Sequence, residues 1–290
     1  MRAFVVTADE MHVGNAAVRL GINQPTLSRQ IAALERTIGV PLFDRTRRRL
    51  ALTPAGAEFL PGARELVGRA DRLTDDAQRA HRGELGVLRV GFVQSATFRA
   101  LPELLAGFRA VCPDVEVEVT AMTTLTQRAA LRDGRIDAGL LRPTPATAGL
   151  ATRTLSRDHL VAALPAAHPL AGSASVPLAA LAGDPFVFYT RAAGPSVHDT
   201  IAGYCVAAGF SPRIVQYAVD VQTIVALVAA NLGVSLLIAP TPYSDEHAVV
   251  YRPLSDELPP WEMALAWSPD NHSPVLSRLL DSTDNYAVAR

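Results

Sequence analysis

Residues 14–39, GNAAVRLGINQPTLSRQIAALERTIG, restrict the possible folds of this chain more than any other stretch. Ala16, Ala17 and Leu20 put small and apolar groups on one face of a short helix. Gly21 then supplies a residue able to take positive φ at the helix end. Asn23 or Gln24 can cap a second helix, and Pro25 in its first turn loses nothing, because that N–H would have no partner anyway. Leu27, Ile31, Leu34 and Ile38 recur at helical spacing and predict its buried stripe. Gln24, Thr26, Ser28, Arg29 and Gln30 are left near its exposed N-terminal part, and Gly39 closes it. Two short helices joined by a tight turn, the second with a polar, Arg-bearing start, describe a helix-turn-helix reader of the major groove. A plain helical hairpin inside a larger domain is the alternative that this stretch alone leaves open.

The next residues favour the reader. Residues 40–56, VPLFDRTRRRLALTPAG, place Leu42 and Phe43 as apolar anchors ahead of a basic run, Arg45, Arg47, Arg48 and Arg49, interrupted by Thr46. Leu50 and Leu52 alternate with Ala51 and Thr53. The pattern predicts a β-hairpin, or wing, with cations at its tip, where guanidinium groups would neutralise phosphates and fix register. The expected DNA-contacting set is therefore Gln24, Pro25, Thr26, Ser28 and Arg29 from the helix, with Arg45, Arg47 and Arg48 from the wing. Charge distribution agrees. Residues 1–53 hold eight arginines against four acids, whereas the rest holds nineteen basic and twenty-four acidic residues, so a net charge of −1 hides a basic head on an acidic body. All basic residues are arginine throughout the chain, which fits coding bias better than function.

Residues 54–82 read as one long helix. Leu60, Leu66 and Leu73 recur with small residues Ala63, Ala70, Ala77 and Ala80, and Pro61-Gly62 should bend or interrupt it near its start. A lone amphipathic helix of this length needs a surface to lie against, in its own chain or in a second copy.

From residue 87 the pattern becomes alternating strands and helices: strand 87–93, helix 102–112, strand 115–122, helix 126–135, strand 136–141. A second such run follows, with strand 186–189, helix 197–209, strand 213–219, helix 221–233 and strand 234–240. Gln127, Leu131, Gly134 and Leu140 find an ordered echo in Gln222, Leu227, Gly233 and Leu236. This predicts two related Rossmann-like α/β lobes. An apolar strand opening residues 160–171 would carry the chain into the second lobe. Residues 261–269 would return it, and a helix over 277–286 would complete the first lobe. The domains are then 1–53, 54–82 and 87–290. Within the last, lobe one is 87–160 with 265–290 and lobe two is 161–264, the arrangement of periplasmic binding proteins.

Open α/β sheets bind ligands where their strands end. The polar groups that follow predicted strands are Ser95, within 94–97 after the first; Thr123 and Thr124 after the second, at a helix start; and Arg142 after the third. In the second lobe, the loop 189–197 brings Arg191, Pro195, Ser196 and Val197 to the start of a helix. Helix N-termini with hydroxyls suit carboxylates. Each Ser or Thr taken singly could equally be a cap, and Arg142 and Arg191 could pair with structural carboxylates. No nucleophile elbow, phosphate-binding glycine loop or zinc-protease motif is present, and His168 suits a structural turn while His198 falls near the expected cleft. Cys112 and Cys205 lie in apolar contexts without metal or redox spacing, so reduced buried thiols are expected and no cofactor is. The most apolar run, residues 224–240, is broken by Asn231 and Gly233 and is short for a bilayer. With no leader-like core in residues 1–20, the expectation is a soluble cytoplasmic protein with no membrane partner.

The motifs at 14–45 followed by LTPAG at 52–56 resemble the N-terminal domain of LysR-type transcriptional regulators, nearly without gaps over residues 4–60. Residues 87–290 also resemble that family's effector domain, most of all the branch sensing aromatic-catabolism intermediates such as muconate. There Ser95, Thr124, Arg142 and the Pro195-Ser196-Val197 turn match effector-contacting positions. One departure stands at the start, where the family carries several more residues ahead of Arg2. The resemblance implies double-stranded DNA and a small carboxylate effector as partners. It also implies self-association, with dimers through the 54–82 helix and tetramers through the effector domains. Two rival readings stay open at this point: a constitutive repressor with a vestigial cleft, and a solute-binding or enzymatic α/β domain.

Overall fold

A computed structural model describes residues 1–44, 50–192, 194–239 and 248–284. The chain divides into two units, Met1–Arg79 and Ala80–Arg290.

The first unit contains α1 (Arg2–Glu10), α2 (Val13–Leu20), α3 (Gln24–Ile38), β1 (Phe43–Asp44), β2 (Ala51–Leu52) and α4 (Pro54–His81). Local chemistry sets each boundary. Gly21 ends α2 at φ 64° and Gly39 ends α3 at φ 86°, the left-handed conformation that a Cβ disfavours. Asn23 caps α3, its Oδ1 accepting from the Thr26 N–H at 2.9 Å. The buried stripe holds at Leu27 and Ile31, weakens at Leu34, and gives out at Ile38, which is 37% exposed. Phe4 is fully buried at the centre of this small core, its ring 5.3 Å from Phe43 and 5.5 Å from Phe59.

β1 and β2 pair antiparallel, Phe43 with Leu52 and Asp44 with Ala51. The tip of this hairpin, with the expected contacts Arg45, Arg47 and Arg48, lies outside the described residues. Its base is fixed from both sides. The Glu35 carboxylate of α3 accepts from the Leu42 and Phe43 N–H groups at 2.8 and 3.2 Å. Thr53 donates to the Pro41 carbonyl at 2.8 Å and accepts from the Gly56 N–H at 2.9 Å, capping α4.

Pro61 does not interrupt α4, which leaves the bend as the form of the expectation still open to it. Leu60, Ala63 and Val67 pack on the head core. This packing, on both sides of the proline, offsets the lost hydrogen bond and the ring clash with the preceding turn.

The second unit has two five-stranded halves. The first holds β3 (Gly86–Phe92), α5 (Ala100–Val111), β4 (Val115–Ala121), α6 (Thr124–Arg132), β5 (Ala138–Leu141) and β6 (Ala151–Asp158). The second holds β7 (Leu160–Pro165), β8 (Pro185–Tyr189), α7 (Pro195–Ala207), β9 (Arg213–Ala218), α8 (Val221–Ala229), β10 (Ser235–Ile238) and β11 (Val249–Pro253). β12 (Trp261–Trp267) and α9 (Pro274–Ser282) return to the first. The first sheet has the order β4-β3-β5-β12-β6. In the second half, the sheets β8-β9 and β10-β7-β11 are joined by a parallel bridge between Phe186 and Val234. Val187 N–H donates to Val234 O at 2.9 Å and Val234 N–H to Pro185 O at 2.8 Å. The order β9-β8-β10-β7-β11 therefore repeats the first, strand for strand.

Three details differ from the sequence expectation. β6 and β11, both edge strands with weak alternation, were not expected. All of β12 pairs in the first sheet, so the expected lobe boundary between 264 and 265 falls inside a strand. The echo between Gln127 and Gln222 is out of register. Thr123 and Asp220 cap the equivalent helices α6 and α8, so fully buried Gln127 corresponds to buried Ile224, while Gln222 is exposed.

A Cβ added at Gly56 would stand 2.1 Å from the Leu42 carbonyl oxygen, backbone that cannot turn away. Gly56→Ala should therefore destabilise the head by about 1–3 kcal/mol or more, read as a lowered denaturation midpoint of its helical signal. An unshifted midpoint would show that the wing and α4 are not held this closely.

Candidate functional site

The head presents Gln24 and Pro25 exposed at the start of α3, with Thr26 and Ser28 half-buried beside them. Arg29 is exposed but lies along its own helix, donating through Nε to Pro25 O at 3.4 Å and through Nη2 to Thr26 Oγ at 3.2 Å. These are long bonds, and a phosphate or guanine could displace them. α3 thus carries a row of donors and acceptors on a helix whose opposite side is locked in the core by Leu27 and Ile31.

In the second unit the expected residues gather at the ends of β3, β4, β5 and β8. Ser95 lies on the 3-10 turn Gln94–Phe98 that follows β3. Thr123 is the N-cap of α6, accepting from the Thr126 N–H at 3.3 Å, so for this residue the bland alternative holds. Thr124, one residue on, has no side-chain hydrogen bond among the described residues, and the first N–H groups of α6 are open. Beneath it, buried Gln127 donates to Met122 O and Leu140 O, both at 3.2 Å, and so pins α6 to the sheet. In lobe two, α7 begins at Pro195 with Gly194 as N-cap and no side-chain cap. Ser196 and Val197 therefore offer free N–H groups there.

The two arginines are not free. Arg142, 7% exposed, donates through Nη2 to Asp158 Oδ2 at 3.1 Å and approaches Ser95 Oγ at 3.4 Å. Its Nη1 is within 3.5 Å of the Trp261 and Glu262 carbonyls. Burial pulls this guanidinium below its ordinary pKa, and the charge of Asp158 opposes that fall. Arg99 donates to the other oxygen of the same carboxylate at 2.9 Å, and Ser156 adds a third bond at 3.1 Å. Two guanidinium groups therefore share one carboxylate. Tyr189, at the end of β8, has its phenol pushed up by burial while Arg142 pulls it down. Arg191 forms a two-point pair with Asp199, at 2.7 and 2.8 Å, on the surface. That bond, with one from His198, holds the Asp199 carboxyl at about 2. A depressed carboxylate keeps its contribution above its ordinary pKa and loses it only as pH falls through the depressed value. This link thus persists across neutral and mildly acidic pH.

Comparison with known proteins decides the family. Residues 1–57 match the bacterial regulatory helix-turn-helix protein model of the lysR family, and residues 81–286 match the LysR substrate binding domain. The chain belongs to the LysR family. It is 41% identical to the HTH-type transcriptional regulator YnfL of Escherichia coli strain K12 over 94% of this chain and 92% of that protein. The crystal structure of CbnR, a LysR family transcriptional regulator, superposes with a TM-score of 0.85 at 28% identity, covering 97% of each chain. CbnR complexed with its target DNA gives 0.80 at 27% identity, over 97% of this chain and 96% of that one. The BenM effector binding domain with its effector benzoate gives 0.62 at 26% identity, over 70% of this chain and 96% of that one.

This LysR-family chain is thus a DNA-binding transcriptional regulator with a two-lobed effector-binding domain. Sequence reading missed Arg99 and Asp158, which complete the surroundings of Arg142. Asp158 closes β6, an edge strand whose alternation is too weak to mark it, and Arg99 lies just past the polar run 94–97. Among the described residues, no group of three or more His, Cys, Asp or Glu is placed to hold a metal. No described helix is long and apolar enough to cross a membrane.

Asp158→Asn keeps the shape but leaves Arg142 without its charge partner. Breaking a buried pair costs about 3–5 kcal/mol, so the effector domain should lose that much in denaturant titrations. A loss below about 1 kcal/mol would mean that the pair is solvated.

Proposed function

We propose that this regulator takes a small carboxylate between its lobes and responds by altering how it holds double-stranded DNA. One observation carries the carboxylate. Among the described residues, Asp158 is the one carboxylate that Arg99 and Arg142 pair with, which leaves a positive surplus beside Ser95, largely out of water. Such a surplus favours an anion. Open helix N-termini at Thr124 and at Ser196–Val197 add oriented donors from each lobe. The benzoate bound by the BenM domain supports an acid of that kind. Arg142 then acts by field and orientation and keeps its Asp158 bond, and Arg191 serves to anchor the loop before α7. Thr123 caps the helix that presents Thr124.

At the other end, Gln24, Pro25, Thr26, Ser28 and Arg29 face the major groove and Arg45, Arg47 and Arg48 the phosphates. Leu66 and Leu73 of α4, 53% and 63% exposed, form an apolar stripe suited to the same helix of a second copy. Dimers through α4, and tetramers through the effector domains, act in the cytoplasm.

Two measurements test this reading. Arg29→Ala should weaken operator binding by about 1–3 kcal/mol if Arg29 reads a guanine. Equal operator affinity in a folded variant would remove it from the interface. Thr124→Val keeps the shape and removes the donor, so it should weaken carboxylate binding about tenfold or more and leave effector-free DNA binding intact. Calorimetry with benzoate and muconate-like acids reads this directly. Binding equal to the parent's would remove the Thr124 hydroxyl from the effector site.

A further inference from the structure

We infer that Phe98 and Trp261 form a two-point latch that fixes the arrangement of the two lobes before any ligand is bound. Both residues belong by chain position to lobe one, and both, half-buried, pack against the core of lobe two. Phe98 ends the 3-10 turn Gln94–Phe98. Ala96, two residues earlier, is fully buried in the lobe-one core with Leu88, Val90 and Leu104. Phe98 itself is half-buried and packs against the lobe-two cluster that contains Ala163, Val187, Val221 and Ile224. A single turn thus has one side chain in each lobe, and the Thr97 hydroxyl closes it by donating to the Gln94 carbonyl at 2.8 Å.

Trp261 opens β12, a strand of the lobe-one sheet, yet it packs against the lobe-two cluster that contains Leu160, Ala162, Phe186 and Leu236. Its indole Nε1 is buried without a hydrogen-bond partner among the described residues. Such a position disfavours the indole unless its ring is held there by packing. At the far end of the same strand, Trp267 packs in the lobe-one core.

The two rings grip opposite faces of one sheet. Along β7, Leu160, Ala162 and Leu164 face the cluster that takes Trp261, while Ala163 faces the cluster that takes Phe98. Rotation of lobe two about its two crossovers, at residue 159 and within 254–260, has to withdraw at least one ring. Arg142 lies between the two points, reaching Ser95 on the Phe98 turn and the Trp261 carbonyl. The latch does not depend on any ligand, so it stands apart from the carboxylate reading.

The test uses the full-length, ligand-free chain. Trp267→Phe leaves Trp261 as the one indole, since the chain has 2 tryptophans. Acrylamide quenching then reports on lobe contact at the second point while the first is altered. Phe98→Ala should raise the quenching constant of Trp261 about twofold or more, by freeing local opening, and Phe98→Leu should restore most of the protection. Hydrogen exchange in β7 and β11 of the same Phe98 variants, with both tryptophans kept, should speed up in parallel and guards against an artefact of the Trp267 change. If folded Phe98→Ala protein keeps parental quenching and parental exchange, the two rings are independent packing contacts and there is no latch.

Discussion

One buried guanidinium stands where both crossings between the lobes converge. Arg142 touches Asp158, the last residue of β6 before the outward crossing, and the first carbonyls of β12 after the return. A charged group so far from water is tolerated only with partners on most of its donors. Here those partners are the ends of the strands that join the lobes. The requirement that fixes Arg142 therefore also fixes the hinge, and the Ser95 turn borders both. Arg99 adds a second guanidinium to the same carboxylate, and the proposal of an anionic ligand rests on that surplus.

The duplicated sheet order explains why the cleft has donors on both sides. β4-β3-β5-β12-β6 and β9-β8-β10-β7-β11 are the same arrangement, so each half ends its parallel strands toward helix N-termini. The two halves use that position differently. In lobe one, Thr123 caps α6 and buried Gln127 ties the helix down. In lobe two, α8 is capped by Asp220, with Ile224 where Gln127 would be, and the open N-terminus belongs to α7. Lobe one thus offers a rigid hydroxyl, and lobe two offers uncapped backbone donors.

Much of this was legible in the sequence, and the failures share a cause. Residues whose role is set by their neighbours in chain are legible: Gly21, Asn23 and Gly39 take the conformations their chemistry favours. The α/β alternation held because apolar runs such as 138–141 must be buried on both faces. β6 and β11 escaped because edge strands carry half-exposed, mixed residues. Pro61 does not interrupt α4, because packing on the core overrides the local preference. For Arg142 the sequence leaves a ligand and a structural carboxylate both open, and the carboxylate it meets, Asp158, lies sixteen positions away on an edge strand with weak alternation. No spacing rule links two such residues.

A ligand can act only through different affinities for two arrangements of the protein. Donors confined to one lobe would bind equally well whether the lobes were open or closed, and would shift nothing. We propose that a carboxylate held by Thr124 and Ser95 gains further bonds from Ser196 and Val197 only when lobe two is near. Its binding energy is therefore tied to lobe arrangement. Rigid coupling, however, needs the unliganded arrangement to be narrow, since a floppy hinge would lose the gain to conformational entropy. Two aromatic rings gripping opposite faces of the lobe-two sheet supply that narrowness without adding charge to the cleft.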